Sequence, residues 1–276
     1  MLKGLKDQPM QSRVKSRRGY YGVKLHQFLS FSPIFAKKTV MGEWAFFPGC
    51  SMMGYDPELV MRVYSRLKEF EPSMGIISGC CGHPAFGIDD KSGFERYRAG
   101  SAADFKSWGV KKLVVCCPNC AETLKGIEGV SVVSIWSFLE REKYTADLSG
   151  NERYVLHDPC PTRRDPETQE AFRWVLARCG VSWEEYPSSR EKALCCGKVR
   201  MLMVLNPPKG REVLMKRVGE SANRNVLTYC FSCADSFRSA GCRSVHGLEL
   251  LFPGVRKERG TWMNRFKSAS FAGRAQ

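Results

Sequence analysis

Lys112–Cys120 reads KLVVCCPNC, and 113 positions further on Asn225–Cys233 reads NVLTYCFSC. Each stretch is a short apolar run that leads straight into a Cys-x-x-Cys. Runs this short and this rich in Val and Leu suit strands buried on both faces of a parallel sheet. A cysteine pair directly after such a strand falls at a strand-to-helix turn, on the carboxyl edge where open parallel sheets bind ligands. Main-chain N–H groups there can hydrogen-bond sulfur, and the helix N-terminus favours negative charge on it.

Outward from these two stretches the same order recurs. Phe46-Phe47-Pro48-Gly49-Cys50 and Cys80-Cys81-Gly82 precede the first, and His157-Asp158-Pro159-Cys160 and Cys195-Cys196-Gly197 precede the second. Ten of the thirteen cysteines thus form two sets of five with one order, and the chain is an internal duplication. The flanking pattern repeats too. Strands are expected at Trp44–Phe47 and Tyr154–Leu156, followed by amphipathic helices at Pro57–Phe70 and Glu167–Cys179. Further helices are expected at Phe94–Trp108 and Arg211–Asn223, and each half closes with a short strand and helix, the helices at Ile135–Arg141 and Leu248–Leu251. Strands alternating with helices predict an α/β protein of two lobes related by a pseudo-twofold, each a small parallel sheet with flanking helices.

Adjacent cysteines point to opposite sides of a regular strand. Cys80-Cys81 and Cys195-Cys196 must therefore sit in irregular loops to share a site, with Gly82 and Gly197 supplying backbone freedom. Five thiolates converging on one point repel one another unless a multivalent cation lies between them. Zinc takes four ligands and so does an ordinary iron–sulfur cluster, so the spacing argues for a sulfur-rich metal site in each half and leaves the metal open. The remaining Cys116, Cys179 and Cys242 read as buried small hydrophobes. An odd number of cysteines with this ordered spacing argues against a disulfide framework.

The doubled order Cys–CCG–CxxC over about residues 43–252 resembles the cysteine-rich (CCG) domain family, and within it the B-type branch of heterodisulfide reductase and its stand-alone relatives. The iron–sulfur subunits of glycolate oxidase and of lactate utilisation share the same domain pair. The resemblance implies a first CCG domain at 41–142 and a second at 143–254. It implies one non-cubane [4Fe–4S] cluster on Cys50, Cys80, Cys81, Cys117 and Cys120, and another on Cys160, Cys195, Cys196, Cys230 and Cys233, with zinc in one site as the alternative. It also implies an oxidoreductase subunit that reduces disulfides or oxidises thiols with a partner, and a small thiol or disulfide substrate. His83 and His157, beside the ligand motifs, are candidate proton donors. No GxGxxG motif, phosphate loop or flavin signature is present, so electrons are expected from a partner subunit carrying cubane clusters or a flavin. Two other readings stand beside this one: an electron-transfer subunit of a flavin-dependent lactate- or glycolate-type dehydrogenase, and a zinc-stabilised structural or assembly module. The stretch Lys198-Val199-Arg200-Met201 departs from the glycine-rich sequence relatives often carry after the second CCG.

The formal charge of +15 belongs mostly to the ends. Residues 1–40 hold nine Lys or Arg against the single acid Asp7, and residues 255–276 hold six against Glu258. Residues 1–40 are expected to be a poorly ordered basic extension or a misplaced translation start, and 255–276 a disordered basic tail. No nucleic-acid-binding motif accompanies the charge, which argues against a nucleic-acid partner. Ser16-Arg17-Arg18 faintly resembles a twin-arginine signal, but Lys24, His26 and Gln27 interrupt its apolar region and no A-x-A site follows. A cytoplasmic protein is the expectation, with membrane association through a partner or through Phe28–Phe35 as a surface anchor.

Overall fold

Two parallel sheets, built from the two halves of the chain, face one shared core. The computed structural model describes residues 16–40, 42–148, 150, 152–222, 224–256 and 260–275. In the first half the order is α1 (Arg17–Ser30), β1 (Lys38–Thr39), β2 (Trp44–Phe47), α2 (Gly49–Tyr55), α3 (Pro57–Phe70), β3 (Gly75–Ile77), α4 (His83–Gly87), α5 (Lys91–Ser107), β4 (Lys112–Val115), α6 (Pro118–Leu124), β5 (Ser131–Ser134) and α7 (Ile135–Arg141). The second half follows with β6 (Arg153–His157), α8 (Pro166–Arg178), β7 (Ser182–Glu185), α9 (Leu202–Leu205), α10 (Pro207–Gly219), β8 (Asn225–Thr228), α11 (Phe231–Ser239), β9 (Ser244–His246), α12 (Gly247–Leu251) and α13 (Thr261–Ala272).

The first sheet runs β1-β3-β2-β4-β5 and the second β7-β6-β8-β9. Every pairing is parallel except that of the short edge strand β1 with β3. Alternation along the strands sorts the side chains into layers. Trp44, Phe46, Val114 and Cys116 from one sheet, with Tyr154, Leu156, Leu227 and Tyr229 from the other, enter the same core. Their neighbours Ala45, Phe47, Leu113 and Val115 turn outward to a second core, and Val155 and Val226 to a third. Helix α3 shows how local sequence sets an element. Asp56 caps it by accepting from Glu58 N at 3.0 Å, Pro57 opens its first turn, and Leu59, Val60, Val63, Tyr64 and Leu67 form the buried face.

Three strands carry no signal in the sequence, the two-residue β1 among them. β3 is only Gly-Ile-Ile, and β7 (Ser-Trp-Glu-Glu) is an edge strand with three exposed residues and no apolar alternation. The ends correct the expectation of disorder where they are described. Residues 17–30 form a helix capped by the Ser16 hydroxyl, and 261–272 form a helix that buries Asn264, Arg265, Ser268, Ala269 and Ala272. Basic, polar composition suggests a solvated end because it says nothing of a surface waiting to receive the helix. Residues 1–15 lie outside the described residues.

Glu249 ties the halves together at neutral pH. Its carboxylate accepts from the Tyr55 hydroxyl at 2.5 Å, from Arg238 Nη2 at 2.7 Å and from His246 N at 2.8 Å. Burial would raise its pKa, but Arg238 and these hydrogen bonds together hold it below the ordinary value. A depressed carboxyl pKa contributes stability that is present above the unfolded pKa and is lost as pH falls through the folded one. Glu249→Gln is therefore expected to destabilise by about 1–2 kcal/mol at pH 7. In urea unfolding the gap to the parent should close below about pH 4; a gap that persists in acid would contradict this account.

Candidate metal centre

All ten repeat cysteines come to the carboxyl edges of the strands. Cys50, Cys80 and Cys117 follow β2, β3 and β4, which are neighbours in the first sheet, and Cys160 and Cys230 follow the adjacent β6 and β8. Cys120 and Cys233 lie one turn into α6 and α11. The two CCG turns depend on left-handed glycines, with φ of +86° at Gly82 and +89° at Gly197. A Cβ at Gly197 would also lie 2.4 Å from the Gly210 carbonyl oxygen, so a side chain there is excluded twice over.

The thiols form one unbroken chain of side-chain contacts. It runs Cys50–Cys80–Cys81–Cys120–Cys117, crosses to Cys230, and continues Cys233–Cys196–Cys195–Cys160. The order is palindromic: each cysteine meets its repeat counterpart at the same distance from the middle. The sequence predicts two sets of five. It does not reveal that they touch through Cys117 and Cys230, because nothing along the chain encodes the placement of one half against the other.

Bare thiols cannot all ionise at this spacing. Cys81, hydrogen-bonded by Cys120 and Cys80, is held down to about 6. Cys117, between Cys120 and Cys230, and Cys195, between Cys160 and Cys196, are held well below the ordinary thiol value. The other seven are pushed up by their sulfur neighbours and by burial, Cys230 to about 12. Thiols packed this closely oppose one another's ionisation. A soft multivalent metal would relieve this, and the donor set fits one.

The surroundings support that fit. Gly197 N and Val199 N donate to Cys195 Sγ at 3.2 and 3.3 Å, and Gln27 Nε2 from α1 donates to Cys80 Sγ at 3.3 Å. His157 is fully buried and lies within 4.8 Å of the Cys196 and Cys233 sulfurs. Its Nδ1 accepts from Arg217 Nε at 3.2 Å, and an arginine can only donate. Burial and Arg217 hold its pKa down to about 3, so the ring is neutral and carries its proton on Nε2. That buried N–H has no partner among the described residues, which suits it to sulfur or to a bound group. His157 is thus placed to donate a hydrogen bond toward the second sulfur set. His83 is half-buried and its Nδ1 lies 3.1 Å from Thr123 Oγ1; burial lowers its pKa as well.

Four residues near the sulfurs escape the sequence pattern. His26 of α1 lies within 4.8 Å of the Cys50 and Cys80 sulfurs, and Arg265 of α13 donates to the Cys50 carbonyl oxygen at 3.2 Å. Neither has a repeat counterpart that would flag it. Asp158, fully buried, accepts from Arg173 Nη1 and Nη2 at 3.1 and 2.9 Å, from Arg190 N at 2.7 Å and from the Tyr229 hydroxyl at 2.7 Å. Asp158, held by Arg173, joins the segments that carry Cys160 and Cys230 through the Tyr229 hydroxyl, and its position inside the HDPC motif is the available hint.

Lys198–Met201 explains its own departure from a glycine-rich stretch. Arg200 and Met201 take left-handed φ values of +44° and +57°, which glycine would adopt at lower cost. The conformation is held from the other half, where Arg200 Nη2 meets Asp89 Oδ1 at 3.0 Å and the guanidinium lies over the Phe86 ring. Lys198 pairs with Asp235 at 2.5 Å. Cys116 and Cys179 are buried in the shared core, as the sequence indicated, whereas Cys242 packs against the third core but is only half-buried.

A family model for CCG, the cysteine-rich domain, matches residues 44–125 and again 154–238. No curated protein matches the chain. Among solved structures, the chain is similar to the aspartate racemase of Picrophilus torridus at 9% identity, covering 82% of this chain and 98% of that one with a TM-score of 0.34. It is similar to a putative Asp/Glu racemase from Yersinia pestis at 10% identity, covering 84% and 99% with a TM-score of 0.32. At these scores the likeness carries no argument about this chain. No helix among the described residues is long and apolar enough to cross a membrane.

Proposed function

The chain belongs to the CCG cysteine-rich domain family, with one match in each half, and from that premise we propose that it is an iron–sulfur redox subunit of the heterodisulfide reductase type. The continuous chain of ten thiols, five from each half, is the observation that carries this reading. Cys50, Cys80, Cys81, Cys117 and Cys120 would hold one cluster, and Cys160, Cys195, Cys196, Cys230 and Cys233 the other. When bound, such clusters supply one-electron redox chemistry at iron and sulfur. The protein's own part is to hold the two sulfur sets in contact through Cys117 and Cys230. Two electrons can then be used at one place. The overall reaction takes one disulfide, two electrons from a partner and two protons, and yields two thiols. The buried His157 N–H stabilises negative charge on sulfur, and half-buried His83, two positions after Cys81 in the chain, serves the first set as a proton relay.

The test is reduction of a small disulfide by the anaerobically reconstituted, dithionite-reduced protein. Two thiols formed for every two electrons withdrawn is the expected result. Full oxidation by a flavin partner with no disulfide turnover would instead make the chain the relay subunit of a hydroxy-acid dehydrogenase. One observation favours a further reading: His26 lies with Cys50 and Cys80, a nitrogen and sulfur donor set that zinc also accepts. Zinc in place of iron would turn the chain into a structural module.

A further inference from the structure

We propose that the outer faces of α1 and α13 dock the protein on an anionic lipid bilayer. Helix α1 turns Val23, Gln27 and Ser30 inward and leaves Tyr21, Leu25 and Phe28 exposed at 66%, 58% and 70%. These three recur at i, i+4 and i+7 and form one stripe on the side opposite the buried one. Ile34 extends it into the following loop, at 55% exposed. Helix α13 adds Trp262, Met263 and Phe266, also exposed. The Trp262 ring lies 5.7 Å from the His26 ring and 5.2 Å from that of Phe35, so the apolar residues of α13 adjoin α1 and the loop that follows it. These seven are most of the exposed large hydrophobic side chains among the described residues; only Phe86, Val204, Met215 and Val255 lie elsewhere.

Charge selects the occupant. Residues 16–40 and 260–275 carry Arg17, Arg18, Lys24, Lys37, Lys38, Arg265, Lys267 and Arg274, and no Asp or Glu. All but Arg265 and Lys267 are exposed. An apolar stripe whose own segments carry cations alone matches acyl chains beneath anionic headgroups, and is the composition of interfacial helices. The inner faces of the same helices touch the first sulfur set through Gln27 and Arg265. The site therefore lies one helix thickness, about 10 Å, behind the lipid surface.

Vesicle co-sedimentation of the full chain tests this, with phosphatidylcholine vesicles containing about one-quarter phosphatidylserine beside pure phosphatidylcholine. Binding is expected to the anionic vesicles, to weaken as salt is raised, and to fall by about tenfold in Leu25→Ser/Phe28→Ser. Both side chains are exposed, so the variant should keep the parent's circular dichroism and unfolding midpoint. Equal binding to both vesicle types, or no binding by the folded chain, overturns the proposal. So does a double variant that binds lipid like the parent. A dimer seen by sedimentation in the parent and lost in the double variant would also overturn it, because a second copy would then cover the patch. Vesicle binding is read independently of metal content.

Discussion

Cys117→Ala is expected to cut bound iron per chain by about half or more, while Cys116→Ala leaves it unchanged. The two cysteines are neighbours in sequence and both are buried. They differ in direction: Cys116 faces the shared core, and Cys117 sits in the thiol chain between Cys120 and Cys230. On the proposed assignment, loss of Cys117 removes a ligand from the first set and breaks the contact to the second. Cys116→Ala removes one buried sulfur from a packed core and should cost about 1 kcal/mol of stability with no loss of metal. Iron and labile sulfide measured on both variants after the same anaerobic reconstitution decide the matter. Equal losses from both, or full iron in Cys117→Ala, would contradict the assignment.

The second large effect is on stability. Arg173→Met is expected to destabilise the protein by about 3–5 kcal/mol, because it strands the Asp158 carboxylate in a fully buried site. For a chain of this size that corresponds to a fall in melting temperature on the order of 10 °C. Glu185, the other partner of Arg173 at 2.7 Å, lies at the rim and can turn to water, so its release should add little. Adding Asp158→Asn to Arg173→Met should recover part of the loss, since the orphaned charge is then gone. Strict additivity of the two substitutions in a thermal melt would show that the pair is not coupled. Because Asp158 joins the segments that carry Cys160 and Cys230, the second sulfur set should lose metal in Arg173→Met while the first retains it.

The cysteines and the frame that presents them are legible along the chain. Alternation along Lys112–Val115 separates Cys116 from Cys117, and the repeated order pairs each cysteine with its counterpart. Both are local regularities, and the structure follows both. Three things are not legible, each for a physical reason. The contact between Cys117 and Cys230 depends on how two sheets pack through Phe46, Phe172, Leu227 and Tyr229, and no residue near either cysteine specifies that. The charge pair Asp158–Arg173 spans fifteen positions with no periodicity to mark it. The caps supplied by α1 and α13 come from segments whose composition resembles a solvated end. Their few inward residues, among them Val23, Gln27 and Arg265, acquire meaning only against the finished fold.

The most direct test of the central claim is metal content. Protein purified and reconstituted without oxygen would be assayed for iron, acid-labile sulfide and zinc per chain, with EPR spectra in oxidised and reduced states. About eight irons and eight sulfides per chain, with little zinc and spectra unlike those of a cubane cluster, are predicted. One zinc or none, with no labile sulfide after reconstitution, would contradict the redox assignment and leave the ten cysteines as the staple of a structural module.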